Sequence, residues 1–289
     1  MICASIWGLT WIAIKFQLGV GDPNVTVFYR FLCATVIMFV LAYFQKERFN
    51  FSQKEHYLMM LQGLFMFSMN FLLTYWASSM APSALISLSF TALIFFNMVG
   101  ARIFLKLPLE KRVIFGAIIS FVGMGVITYT EMQEKNLEAY PMSFLGFLIG
   151  MLGTLSASAG NLVSSKNRQL NLPIISNTAF GMMYGALFTL VYCLIKGASF
   201  TLTISPSFLI SFFYLTVFGT VISFVSYLKL IQIVGPSKAA FTSVVSPVIA
   251  LVVSTFYEKM GWTMPLAAGI VLCLVGNCVA LISNNRKWT

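Results

Sequence analysis

The sequence predicts an all-α polytopic membrane protein: ten transmembrane helices in two inverted five-helix repeats. Three observations predict it. The 289 residues are 59% hydrophobic and only 9% charged, with a mean hydropathy of +0.89, whereas a wetted globular surface takes about 25% charged residues. The apolar residues fall in runs of about 20, the number that crosses a hydrocarbon core of about 30 Å as a helix. Short signatures then recur at an offset of about 150 residues, the mark of an internal repeat.

Charged residues, prolines and glycines delimit the runs. The first covers 2–18 and turns at 19–24; with no basic segment before it and no small-residue cleavage site after it, it is expected to stay in the membrane. The second is 25–44, followed by the charged stretch 45–56. The third is 57–79, turning at Ala81-Pro82, and the fourth is 83–104. The fifth is 113–130. The acidic connection 131–141 then divides the chain into 1–137 and 138–289. The sixth run is 142–164, the seventh 174–194 and the eighth 207–228. Gly235-Pro236 opens the ninth, which ends near Tyr257, and 265–283 is the tenth.

The halves correspond. Ala81-Pro82-Ser83 opens the fourth run and Gly235-Pro236-Ser237 the ninth; Gly116 and Gly123 of the fifth recur as Gly269 and Gly276 of the tenth; Pro23 matches Pro173. Five spans per unit is an odd number, so the second copy inserts upside-down. Inverted repeats of this kind build many secondary transporters, with a substrate site near the midplane between them.

A net charge of +10 suggests nucleic acid in a soluble protein, but in this chain it reports topology. With ten spans, thirteen of the eighteen bases share the side of both termini, and only Lys135, Lys196 and Lys259 lie opposite. The positive-inside rule puts the termini in the cytoplasm of a cell (inner) membrane. The five cysteines all lie in apolar runs with no CxxC, and read as small buried hydrophobes. No metal, cofactor or nucleic acid is expected. The expected partners are a small-molecule substrate and the bilayer, with a monomer the simplest assembly.

Polar stripes at helical spacing mark faces turned from lipid. They are Gln62, Met66, Asn70 and Thr74; Ser83, Ser87 and Thr91, with Asn97 further along; Thr154, Ser158, Asn161 and Ser165; Thr216, Thr220, Ser223 and Tyr227; and Ser243, Ser246 and Ser254 around Pro247. A single serine or threonine more often bonds its own helix. Five parallel stripes with three asparagines and a glutamine point to a shared polar cavity. Trp7, Trp11, Asn70, Thr74, Tyr75, Asn97, Asn161, Tyr227 and Ser246 are the candidate substrate-binding residues, together with Lys15.

Lys15 shares a face with Trp7 and Trp11, and Arg30 lies six residues into the second run. Each fits two roles. Lys15 either snorkels to the outer interface or meets an anionic group on a substrate. Arg30 is given the structural role, paired with Asp22 or with backbone carbonyls. Asp22, Arg30, Pro247 and Glu258 form the gating or structural set. No Asp, Glu or His stands mid-span, which disfavours proton coupling and favours facilitated movement or exchange.

Trp7-Gly8 followed by Lys15, Pro23 and Arg30-Phe31 resembles the opening of EamA-type members of the drug/metabolite transporter superfamily. Ala81-Pro82-Ser83, Asn97 and the Gly116/Gly123 pair resemble the end of that family's first repeat. Gly235-Pro236-Ser237, Ser246-Pro247 and Gly269/Gly276 resemble its second. The resemblance implies ten helices in two inverted repeats, cytoplasmic ends and passage of amino acids, related metabolites or drugs, often outward. Ala92-Leu93 stands where many relatives carry proline, and Lys106-Leu107 replaces a common Gly-Glu. A lipid flippase, or a membrane-embedded enzyme acting on a lipid-linked substrate, is the alternative. The enzyme would need a cluster of Asp, Glu or His at one interface, which the loops lack.

Overall fold

The structure is a computed structural model, which describes residues 2–19, 21–106, 111–133, 142–202, 204–240, 242, 246, 249–250, 253 and 263–281. Every element among them is helical. The helices are α1 (Ile2–Lys15), α2 (Pro23–Phe44), α3 (Gln53–Met80), α4 (83–104), α5 (Lys111–Gln133), α6 (Ser143–Gln169), α7 (Ile174–Ile195), α8 (Pro206–Val234), α9 (Pro236–Ala239) and α10 (Met264–Leu281). Six of them, α2, α3, α4, α6, α7 and α8, are long and apolar enough to cross a bilayer. Helix α1 has 14 residues, and α5 and α10 carry the shorter apolar stretches Ile114–Ile127 and Met264–Gly276. Most of the expected ninth span lies outside the described residues, as do Pro247, Glu258 and the boundary at 137/138. Large apolar side chains such as Val36, Phe44, Phe115, Ile118 and Leu152 stand exposed on the outside, as lipid requires of a multi-pass membrane protein.

Local chemistry explains where the helices begin. The Asp22 carboxylate accepts from the Asn24 backbone N–H at 2.8 Å, and Pro23 follows at the first helical position. Ser52 and Glu55 form a reciprocal capping box that starts α3 at Gln53 instead of the expected Tyr57. Glu47, from the connection before α3, accepts from the backbone N–H groups of Ile175 and Ser176 (3.4 and 2.6 Å) and so caps α7 across the two halves. Helix α8 begins where Ser205 accepts from the Phe208 N–H. It ends at Gly235, whose φ of +82° favours glycine, ahead of Pro236. Helices α6 and α8 outlast the expected spans because a helix continues past the lipid boundary wherever water or a cap satisfies its ends.

Three helices are not plain α-helices. Gly63–Met69 in α3 and Tyr214–Ile222 in α8 are wound as π-helix, at matching places in the two halves, and α4 tightens to a 3₁₀ turn at Phe90–Ala92. Such irregular turns re-aim the side chains that follow.

Packing relies on small residues, since lipid supplies no hydrophobic drive between helices. Helix α5 packs along α10, and α2 along α7. A Cβ at Gly123 would stand 2.5 Å from the Gly269 carbonyl oxygen, and one at Gly269 would stand 2.8 Å from that of Gly123. The repeated glycines therefore meet each other. Gln62 serves the scaffold: its Oε1 accepts from Asn167 and Asn177 (2.6 and 3.1 Å), tying α3, α6 and α7 together. The five cysteines are free thiols. Cys3, Cys193 and Cys273 are buried as expected, whereas Cys33 and Cys278 are exposed, because their helix faces point outward.

Candidate functional site

One cavity of about 90 Å³ lies between the halves, walled by α1, α2, α3, α4, α6 and α8 together with Thr242 and Ser246. Seven of the ten substrate-binding candidates line it: Trp7, Trp11, Asn70, Thr74, Asn161, Tyr227 and Ser246.

Both tryptophans are fixed by their indole N–H groups. Trp7 donates to the Gly219 carbonyl at 3.1 Å and meets Phe224 and Tyr227 edge-on, while Trp11 donates to Ser246 Oγ at 3.0 Å and meets Phe90. The π-wound stretch of α8 presents Gly219 to Trp7, and the 3₁₀ turn of α4 brings Phe90 to Trp11. Asn161 donates to the Tyr227 hydroxyl at 3.0 Å and to Asn97 Oδ1 at 3.4 Å, and Asn97 donates to the Pro236 carbonyl at 3.1 Å. Asn97 thus stands behind the wall, joining α4 to the start of α9. Asn70 and Thr74 supply the α3 side, where Thr74 bonds its own helix at Asn70 O, 2.8 Å away.

The two intramembrane bases are distributed differently from expectation. Lys15 is not in the cavity wall. Its Nζ donates to the carbonyls of Ser78 and Ala81 (2.6 and 2.8 Å), the unpaired carbonyls at the end of α3, where a cation is favoured. Replacing Lys15 with Met, which keeps the stem and removes both bonds, is expected to lower stability by about 1.5–3 kcal/mol. Thermal unfolding in detergent measures it, and an unchanged midpoint would refute this role.

Arg30 does line the cavity, and Asp22 does not pair with it, because that carboxylate is held by Asn24 at the start of α2. The guanidinium is 1% exposed; its Nε donates to Thr220 Oγ1 at 2.8 Å, and its Cζ lies 4.8 Å from the Phe71 ring centroid. Thr220 in turn donates to the Leu215 carbonyl five residues back, the spacing of a π turn. Tyr75 is fully buried beside Arg30 and donates to Gln17 Oε1 at 2.6 Å, outside the cavity wall.

A family model described as the EamA-like transporter family matches residues 1–129 and again 144–282. The chain belongs to the EamA-like transporter family. Two similar proteins fit that membership. An "Uncharacterized transporter" of Buchnera aphidicola subsp. Schizaphis graminum is 22% identical over 277 residues, 93% of this chain and 90% of that one. The "Uncharacterized inner membrane transporter YedA" of Escherichia coli (strain K12) is 24% identical over 278 residues, 93% of this chain and 86% of that one. A solved crystal structure at 14% identity superposes with a TM-score of 0.70 over 96% of this chain and 93% of its own, so this EamA-like chain shares its fold.

Thr10, Phe71, Phe90 and Phe224 also line the cavity of this EamA-like protein and lie outside the polar stripes that mark it in the sequence. Phe71 and Phe224 neighbour Asn70 and Tyr227 on their helices, which is the only signal they carry; in a chain with 28 phenylalanines, an inward ring reads like a lipid-facing one.

Proposed function

We propose that this protein is a secondary transporter, not an enzyme, that carries small metabolites, such as amino acids or drug-like compounds, across the inner membrane. It works as an exporter or facilitator, by alternating access. Two inverted five-helix repeats, 1–137 and 138–289, rock about the cavity with both termini in the cytoplasm, and a monomer suffices. The observation that carries this reading is the cavity itself, which lies between the halves with walls from both. The paired family match, the matching π-wound stretches in α3 and α8 and the names of the relatives support it. A cavity of about 90 Å³ must widen to admit a larger cargo, which rocking repeats permit and a fixed pore does not.

Reconstitution into proteoliposomes tests it. Saturable uptake of at least one member of a labelled metabolite panel is expected. Ala157→Phe, at a buried wall position, should abolish that uptake by filling the cavity, at about 1–3 kcal/mol in stability. Flux that does not saturate, or that survives the filled cavity, would sink the proposal.

A further inference from the structure

Arg30 is among the largest fully buried side chains of the described residues. Arginine keeps its charge in proteins, and a buried charge is costly unless paired. Each carboxylate whose side chain the structure describes is engaged elsewhere: Asp22 on Asn24, Glu47 on the start of α7, and Glu55 on Arg48 and Ser52. Among the described residues, no carboxylate reaches Arg30.

The guanidinium is nevertheless held in a fixed orientation. Thr220 fixes Nε, and the Phe71 and Phe31 rings flank Cζ at 4.8 and 5.8 Å. Gly219 packs beside Nη2, where a Cβ would stand 3.4 Å away. The buried Nη1 has no hydrogen-bond partner. In the same cavity wall, Asn70 donates to the Met66 carbonyl at 3.4 Å while its buried Oδ1 accepts from nothing. Arg30 and Asn70 therefore line one small chamber otherwise rich in aromatic rings, and each keeps a buried polar atom without a partner at that wall.

We propose that the cargo is a small organic anion, a carboxylate bound by Arg30, whose neighbouring hydrogen-bond donor is accepted by Asn70 Oδ1. This deepens the transport reading and rests on it, because the occupant of the cavity is taken to be the cargo. A carboxylate supplies the counter-charge that Arg30 lacks among the described residues, and the planar guanidinium suits its geometry. The donor beside it satisfies Asn70, and the rings take the apolar remainder.

Four probes of similar size test it on the purified full chain in detergent, through tryptophan fluorescence from the cavity wall and thermal stabilisation. They are lactate, propionate, lactamide and 1-amino-2-propanol. Lactate is expected to bind best and propionate next, with the neutral and cationic analogues weakest. Arg30→Gln should weaken lactate roughly 30-fold and leave lactamide unchanged. Asn70→Leu should erase the advantage of lactate over propionate. Lactamide binding as tightly as lactate to the wild type, lactate binding unchanged in Arg30→Gln, or binding by none of the four would overturn the assignment. The wild-type ranking and Asn70→Leu decide the matter if Arg30→Gln fails to fold. Proteoliposome flux separates the two proposals. Anion-selective binding without saturable flux overturns transport and leaves Arg30 its role; saturable flux indifferent to charge does the reverse.

Discussion

Gly276→Leu is expected to lower the thermal unfolding midpoint in detergent by about 6–12 °C, the shift that corresponds to about 3 kcal/mol. A Cβ at Gly276 would fall on the Gly116 carbonyl oxygen and 2.5 Å from the Ser120 backbone nitrogen. Both obstacles are main chain, so no rotamer change relieves them and α10 must move off α5. Burial elsewhere does not restore the close packing of the pair, because the separated faces meet lipid instead. Gly125, also on α5, is the control. A side chain there meets nothing within 4 Å, so Gly125→Leu should leave the midpoint unchanged or raise it slightly, since glycine is a poor helix former. Equal shifts for the two variants would show that the glycine contact does not hold this pair.

Asn161→Leu is expected to reduce saturable flux by about tenfold or more, with a smaller loss of stability. The substitution keeps the approximate size but leaves the Tyr227 hydroxyl and Asn97 Oδ1 without their shared donor. Each buried group left unpaired costs about 1–3 kcal/mol, whereas interhelical bonds in membranes average only about 0.6 kcal/mol, because the unfolded chain in lipid finds other partners. The smaller figure governs unfolding and the larger governs the working state, where Tyr227 in the wall and Asn97 behind it stay in place. Unfolding in detergent and flux at matched protein density therefore respond unequally. Full flux would remove Asn161 from the working machinery.

Much of the fold is legible because the bilayer imposes its own period on the chain. Runs of about 20 apolar residues name helices directly, and the Gly116/Gly123 pair reveals its kinship with Gly269/Gly276 by spacing alone. The tryptophans of α1 are legible too, since two indoles four residues apart on an apolar helix must find partners for their N–H groups. Lys15 and Arg30 illustrate the limit. Both are bases within apolar runs, and nothing local says which one faces the chamber. That is decided by distant pieces, the end of α3 at Ser78 and Ala81 for Lys15 and the widened turn at Thr220 for Arg30. The π-wound stretches have no sequence signature of their own; Thr220 bonding Leu215 becomes visible only in three dimensions. Helix α3 begins ahead of its apolar run because capping by Ser52 and Glu55 owes nothing to hydropathy.

A cation fixed at membrane depth is also an electrical element. Moving one elementary charge through the full membrane potential is worth about 2.3 kcal/mol per 100 mV. With no carboxylate reaching Arg30 among the described residues, the proposed alternating cycle would have the vacant protein carry that charge as its chamber changes sides, where the membrane voltage acts on it. A monoanionic occupant cancels the charge and makes the loaded crossing electrically silent. In the proposed cycle, voltage would then act on the empty return and bias the direction of net flow.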